Sequence, residues 1–235
     1  MTAWAAKRFW TAAVAEPCAG GFAVRLDARP VRTPAKAAVV LPTLAMAQAI
    51  AAEWDAQTGV VAPATMPCTR AANSAIDKIT PQSDEVAALL AAYGGTDLLC
   101  YRATGPEALI QRQAAAWDPV LAWAATALGA PLVATAGVMH IPQPEASLAA
   151  LTAEVRGLTP FQMAALHDLV AISGSLVLAL AVTHRHLTVD EAWGLSRIDE
   201  TWQAELWGLD EDAAAYEALR KAAFLQADRF FGLCG

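Results

Sequence analysis

The run from Leu169 to Thr183 contains no charged side chain, and it constrains the fold more than any other segment. A bilayer needs roughly 20 consecutive apolar residues. This run is too short, and Ser173, Gly174 and Ser175 interrupt it. A helix that is apolar all round must instead be enclosed by other elements. Thr159-Pro160-Phe161-Gln162 is a capping box with proline in the first turn, so one buried helix is expected from there through Val182. The three small residues are read as points of close helix approach. A helical bundle built around this helix follows.

The flanking sequence supports that bundle. From Ser83 onward the pattern is almost wholly helical. Helices are expected over Ser83 to Tyr93, Pro106 to Ala116, Glu145 to Arg156 and a final stretch from Asp210 to Phe231. Asp118-Pro119 reads as a cap followed by a new helix that stops at Gly129. Gly137 to Ile141 looks extended. The first eighty residues differ. KRFWTAAV and GFAVRLD alternate aromatic and β-branched residues in the manner of strands, with Gly20-Gly21 between them. Asp27-Ala28-Arg29-Pro30 is a turn. Short strands are expected at Val31 to Thr33 and Ala38 to Leu41. Thr43 caps a helix with Leu44, Ala47, Ile50, Ala51 and Trp54 on its apolar side, and Thr69 to Ile79 reads as a helix stopped by Pro81. The expected class is α+β: an N-terminal β-containing domain over 1–82, then an α-helical domain over 83–235.

Composition narrows the function. Hydrophobic residues are 56% of the chain and charged residues 17%. Much of the excess is alanine, which fits tight helix packing. A net charge of −7 argues against nucleic acid, which asks for a basic stripe, and against docking on anionic lipid. Cys18, Cys68, Cys100 and Cys234 lie far apart, without the spacing of a zinc or redox site. The opening MTAWAAKRFW has neither the apolar core of a secretory signal nor the length of a transit peptide. A soluble, cytoplasmic protein is expected.

Catalytic motifs are scarce. There is no phosphate-binding glycine loop and no GxSxG elbow. His184 and His186 cannot share a helix face at their spacing, and they read as polar residues at a helix C-terminus. No metal or cofactor is expected. Arg70, Asn73 and Asp77 share a helix face; they form an internal polar network or, with Arg102, a small-molecule site.

One further segment stands out. Thr188 to Leu209 opens with a second capping box, Thr188-Val189-Asp190-Glu191. At about 100° per residue, Leu195, Ile198, Trp202, Leu206 and Leu209 form a core-facing stripe. Trp193, Glu200 and Trp207 fall in line on the other side, flanked by Arg197 and Ala204. Two tryptophans around a carboxylate make either a second internal packing surface or a docking surface for another protein.

The chain resembles the ATP-twelve family, assembly chaperones for the alpha subunit of the F-type ATP synthase catalytic head. The resemblance is carried by VRLDARPVRTP (24–34), IAAEWDAQTG (50–59), ANSAIDKI (72–79), DLLCYRA (97–103), WDPVLAW (117–123), SGSLVLALAV (173–182) and LSRIDETWQAELWG (195–208). It implies a non-catalytic protein, and a monomer without cofactor is expected. Such a protein binds the unassembled alpha subunit and shields its beta-facing interface until the beta subunit replaces it. The family occurs in alpha-proteobacteria, where it is cytoplasmic, and in the mitochondrial matrix of eukaryotes. The resemblance places the family's important acidic positions on Glu200 and Glu205. Trp193, Arg197 and Trp207 complete the expected partner-binding set, because tryptophan and arginine dominate interface energetics.

Overall fold

A strong turn starts the fold. In a computed structural model describing residues 7–208 and 210–235, strands β1 (Ala13–Cys18) and β2 (Gly21–Leu26) form an antiparallel hairpin, and β3 (Arg29–Pro30) adds to the far side of β2. Asp27 occupies the turn after β2 with φ of 50°, where aspartate is better tolerated than most residues. Its carboxylate accepts hydrogen bonds from the Thr11 and Ala12 amides at 3.1 and 3.0 Å. These bonds hold its pKa below the ordinary aspartate value. Ala15 opposes Val24 and Ala13 opposes Leu26, and this sheet face packs on α1 (Leu44–Asp55). Met46, Ala47, Ile50 and Ala51 fill the space between. The Thr43 hydroxyl accepts from the Met46 amide at 3.1 Å, so the expected cap forms.

The strand pattern shifts along the chain. Phe9 and Trp10 lie outside the strands, and the KRFWTAAV segment enters β1 only at Ala13. The segments at 31–33 and 38–41 make single bridges, Arg32 with Ala38 and Phe22 with Leu41. Pro81 does not stop the helical path. α2 (Pro67–Ser74) runs on through a π-helical turn at Ala75–Ile79 and a 3-10 turn at Thr80–Gln82 into α3 (Ser83–Ala91). Proline is tolerated there because a helix's first turn has no use for its missing N–H.

The rest is helical apart from a two-residue parallel pairing of β4 (Tyr101–Arg102) with β5 (Thr135–Ala136). The helices are α4 (Glu107–Ala127), α5 (Glu145–Arg156), α6 (Pro160–Ser173), α7 (Leu176–Thr183), α8 (Val189–Ser196), α9 (Ile198–Trp207) and α10 (Glu211–Gly232). N-terminal strands followed by helices make the fold α+β. The chain divides into two compact units. The first comprises 1–83, 159–165 and 229–235; the second comprises 84–158 and 166–228.

Three expected helix boundaries move. Asp118-Pro119 does not start a helix: α4 runs through it, with Trp117, Val120 and Ala124 buried. Asp118 pairs with Arg102 at 2.8 Å instead of capping. The expected single helix through Val182 is broken at Gly174, whose φ is +77°, giving α6 and α7. The segment from 188 to 207 is also two helices, because its backbone leaves the helical path at Arg197. Two carbonyls near that break are engaged elsewhere. The Ser196 hydroxyl donates to the Trp193 carbonyl at 2.8 Å, and the Trp117 indole N–H donates to the Leu195 carbonyl at 2.9 Å. The second is the acceptor that a continuous helix would offer to the Asp199 amide.

Candidate docking site at the α8–α9 corner

The break at Arg197 decides which side chains reach solvent. A single helix would align Trp193, Glu200 and Trp207; two helices separate them. Trp193 is 7% exposed, and its ring lies 5.8 Å from that of Phe224 on α10. Trp207 is 78% exposed. Of the expected core stripe, Ile198 is buried and Leu195 and Trp202 are half-buried, whereas Leu206 is 58% exposed. Leu209 lies outside the described residues. The end of α9 therefore presents Leu206 and Trp207 together to solvent.

Two arginines hold the acidic residues of this corner from beneath. Arg197 is buried, its guanidinium 5.3 Å from the centre of the Trp193 ring and 2.7 Å from a Glu200 carboxylate oxygen. Burial holds the Arg197 pKa below its ordinary value, against the opposing pull of Glu200. The Glu200 side chain remains about half exposed, at 52%. Glu205 receives both guanidinium nitrogens of Arg112 from α4, at 3.0 and 2.9 Å. This fork-on-carboxylate geometry fixes direction as well as charge. The bond from Arg112 keeps the Glu205 pKa below the usual glutamate value. Arg112 also lies over the Trp202 ring at 4.9 Å, and Gln113 donates to Asp199 at 2.6 Å. The result is an exposed, acidic and partly apolar ridge with its carboxylates preset.

Several of the other polar candidates have partners within their own unit. Asp77 accepts from the Ala35 amide at 3.1 Å in the first unit, with Arg70 exposed and Asn73 half-buried nearby in the sequence. Arg102 belongs to the second unit. There it donates to the Leu99 carbonyl at 2.8 Å, pairs with Asp118 and lies over Trp117. His186 stacks flat on Trp123 at 4.7 Å, and His184 bonds Glu154 at 3.0 Å. None of the described His, Cys, Asp or Glu residues gather in groups of three or more that could hold a metal. Burial pushes the thiols of Cys100 and Cys234 up to about 12, so both stay protonated.

Residues 7–125 match the ATP12 chaperone protein family. The match spans half of the chain. The chain belongs to the ATP12 chaperone family. Solved structures extend the likeness over nearly its whole length. Atp12 from Paracoccus denitrificans is 53% identical over 98% of this chain and 99% of that one, with a TM-score of 0.94. A mutant of the P. denitrificans protein, in which one aspartate is replaced by lysine, matches with the same identity and TM-score, covering 98% of each chain. A proposed chaperone from Agrobacterium tumefaciens is 41% identical over 97% of this chain and 86% of that one, with a TM-score of 0.92. The sources of these relatives fit the alpha-proteobacterial occurrence that the resemblance implies for the family. No helix among the described residues is long and apolar enough to cross a membrane.

Two outward-facing groups of this ATP12 chaperone were not legible in the sequence. Arg112 carried no signal, because its pairing with Glu205 spans distant segments. Tyr216 and Leu219 on α10 are also exposed, at 65% and 71%; their helix was expected, but its outward face was not read.

Proposed function

We propose that this ATP12 chaperone binds the unassembled alpha subunit of the F-type ATP synthase catalytic head. It shields the beta-facing interface of that subunit until the beta subunit takes its place. The protein acts as a cytoplasmic monomer, without cofactor and without making or breaking a bond. Family membership supports the chaperone class, and the α8–α9 corner supports the mode. The observation that carries the reading is the pairing of exposed Leu206 and Trp207 with carboxylates fixed by buried or half-buried arginines. An apolar residue left 78% exposed beside preset charge is the composition of an interface anchor and its rim. Glu200 and Glu205 meet cationic or amide donors on the client, and Trp207 supplies apolar contact. Arg197 and Trp193 support Glu200 from beneath.

The test is a pull-down against separately purified alpha and beta subunits. Glu200→Lys is expected to abolish capture of alpha and, because it sets a cation against buried Arg197, to lower the melt as well. Glu200→Gln keeps the shape and an acceptor for Arg197, so it separates the two roles: it is expected to weaken capture with a loss of stability of no more than about 1 kcal/mol. Undiminished alpha binding by both variants would overturn this site. Failure of the wild-type protein to capture alpha would overturn the function.

A further inference from the structure

Strand β1 is an edge. Its register with β2 sets which backbone groups point inward and which outward. The Asp27 amide donates to the Ala12 carbonyl at 3.0 Å, so Ala12 bonds toward β2, and alternation assigns Val14, Glu16 and Cys18 the same direction. The other side of β2 confirms this parity. Val24 and Phe22, which oppose Ala15 and Pro17, use their backbone groups on Val31 and Leu41 instead. The backbone groups of Ala13, Ala15 and Pro17 therefore point away from the sheet. Among the described residues, no hydrogen bond involves the amides or carbonyls of Ala13 and Ala15. Pro17 has no N–H, a common device for closing an edge, so donors remain only at Ala13 and Ala15.

This open stretch borders a trough of about 370 Å³ lined by Ala13, Val14, Ala15, Gln48, Ala52 and Asp55, among others. Its lining is rich in alanine, so side chains of an added strand have room beside the edge. Its one charged lining residue is already paired: Asp55 meets Arg8 at 3.1 Å. The lining therefore favours an uncharged occupant. A second copy of β1 suits it poorly. Pairing two such edges about Val14 sets Ala13 against Ala15, leaving only methyl groups to enter each trough.

We infer that the β1 edge over Ala13–Ala15 takes up an extended, uncharged segment of the client as an added strand, with mid-sized apolar side chains seated in the trough. This rests on the client-holding function proposed above. It adds a backbone-directed site on the first unit, which can hold a strand whose native neighbour is absent.

Amide hydrogen exchange in the complex of the full chain with purified alpha subunit tests it. The Ala13 and Ala15 amides are expected to exchange at least about tenfold more slowly in the complex than in the free protein. Ala15→Pro removes one outward donor without touching the pairing with β2, and is expected to weaken alpha binding about tenfold. Ala52→Trp fills the trough from α1, leaves β1 unaltered, and is expected to do the same, so a folding defect in one variant does not carry the result. If the complex forms and both amides exchange freely, the edge site is overturned and the α8–α9 site stands. If no complex forms with the wild-type chain, both fall. Protection that instead grows with concentration of the protein alone, together with a dimer in sedimentation, overturns the client segment in favour of self-pairing.

Discussion

Asp97 is fully buried, and its bonding partners are all donors. Leu99 and Val177 offer amides at 3.0 and 2.9 Å, and Ser175 offers a hydroxyl at 2.7 Å. Burial opposes the charge and the three bonds favour it; burial prevails, and the pKa is pushed up to about 6. The sign for stability follows. A raised carboxyl pKa contributes stability that is fully present below the unfolded value, near pH 4, and is lost as the pH rises through about 6. Asp97→Asn replaces one acceptor by a donor that faces a donor, which costs about 1–3 kcal/mol. The variant cannot titrate, so its deficit against the wild type in urea unfolding is expected to widen as the pH falls from 7 to 4. A deficit independent of pH would show that Asp97 does not change protonation in this range. Little of this was legible in the sequence. The bond to Leu99 is local, but Ser175 and Val177 join Asp97 across most of the second unit's length, and no spacing rule reaches that far.

Among the elements, caps were legible and breaks were not. Thr43, Thr159, Thr188 and Asp210 each accept a hydrogen bond from an amide of the helix they precede. This chemistry closes within a few residues, so the sequence contains all of it. Breaks depend on distant groups. Trp117 engages the Leu195 carbonyl from α4, and Asp97 offers an acceptor to the first turn of α7, which makes it possible to end α6 at Gly174. Conversely, burial around Trp117 keeps α4 continuous through Pro119, where the local pattern calls for a stop. Gly174 gives the sharpest test. Its φ of +77° disfavours any side chain, although an added Cβ would meet nothing closer than the Leu98 Cβ at 3.9 Å. Gly174→Ala is therefore expected to cost about 1–2 kcal/mol through the backbone alone, readable as a lower denaturation midpoint with an unchanged slope. No measurable change would mean that the break relaxes into a continuous helix.

For the molecule as a whole, the two tryptophans of the α8–α9 region separate folding from holding. The sequence set them on one face; the structure assigns Trp193 to the interior and leaves Trp207 outside. Trp193→Ala removes a ring packed against Phe224 and the surface on which Arg197 lies, so it is expected to lose about 3–5 kcal/mol of stability. Alpha binding should then fall mainly with the folded population, with a smaller further loss because Arg197, its ring support gone, no longer holds Glu200 in place. Trp207→Ala removes a side chain 78% exposed and is expected to change stability by no more than about 0.5 kcal/mol. Its loss should appear in the alpha complex as faster dissociation, by a factor consistent with about 2 kcal/mol for an interface anchor. Glu200→Gln should act differently again. The acidic chain, with net charge −7, attracts a basic client surface at long range, so loss of that charge should mainly slow association and flatten its dependence on salt. Surface-capture kinetics on immobilised alpha subunit, at two ionic strengths, separate the three variants. If Trp207→Ala dissociates at the wild-type rate, the exposed end of α9 is not the anchor, and the docking surface must be sought elsewhere on the chain.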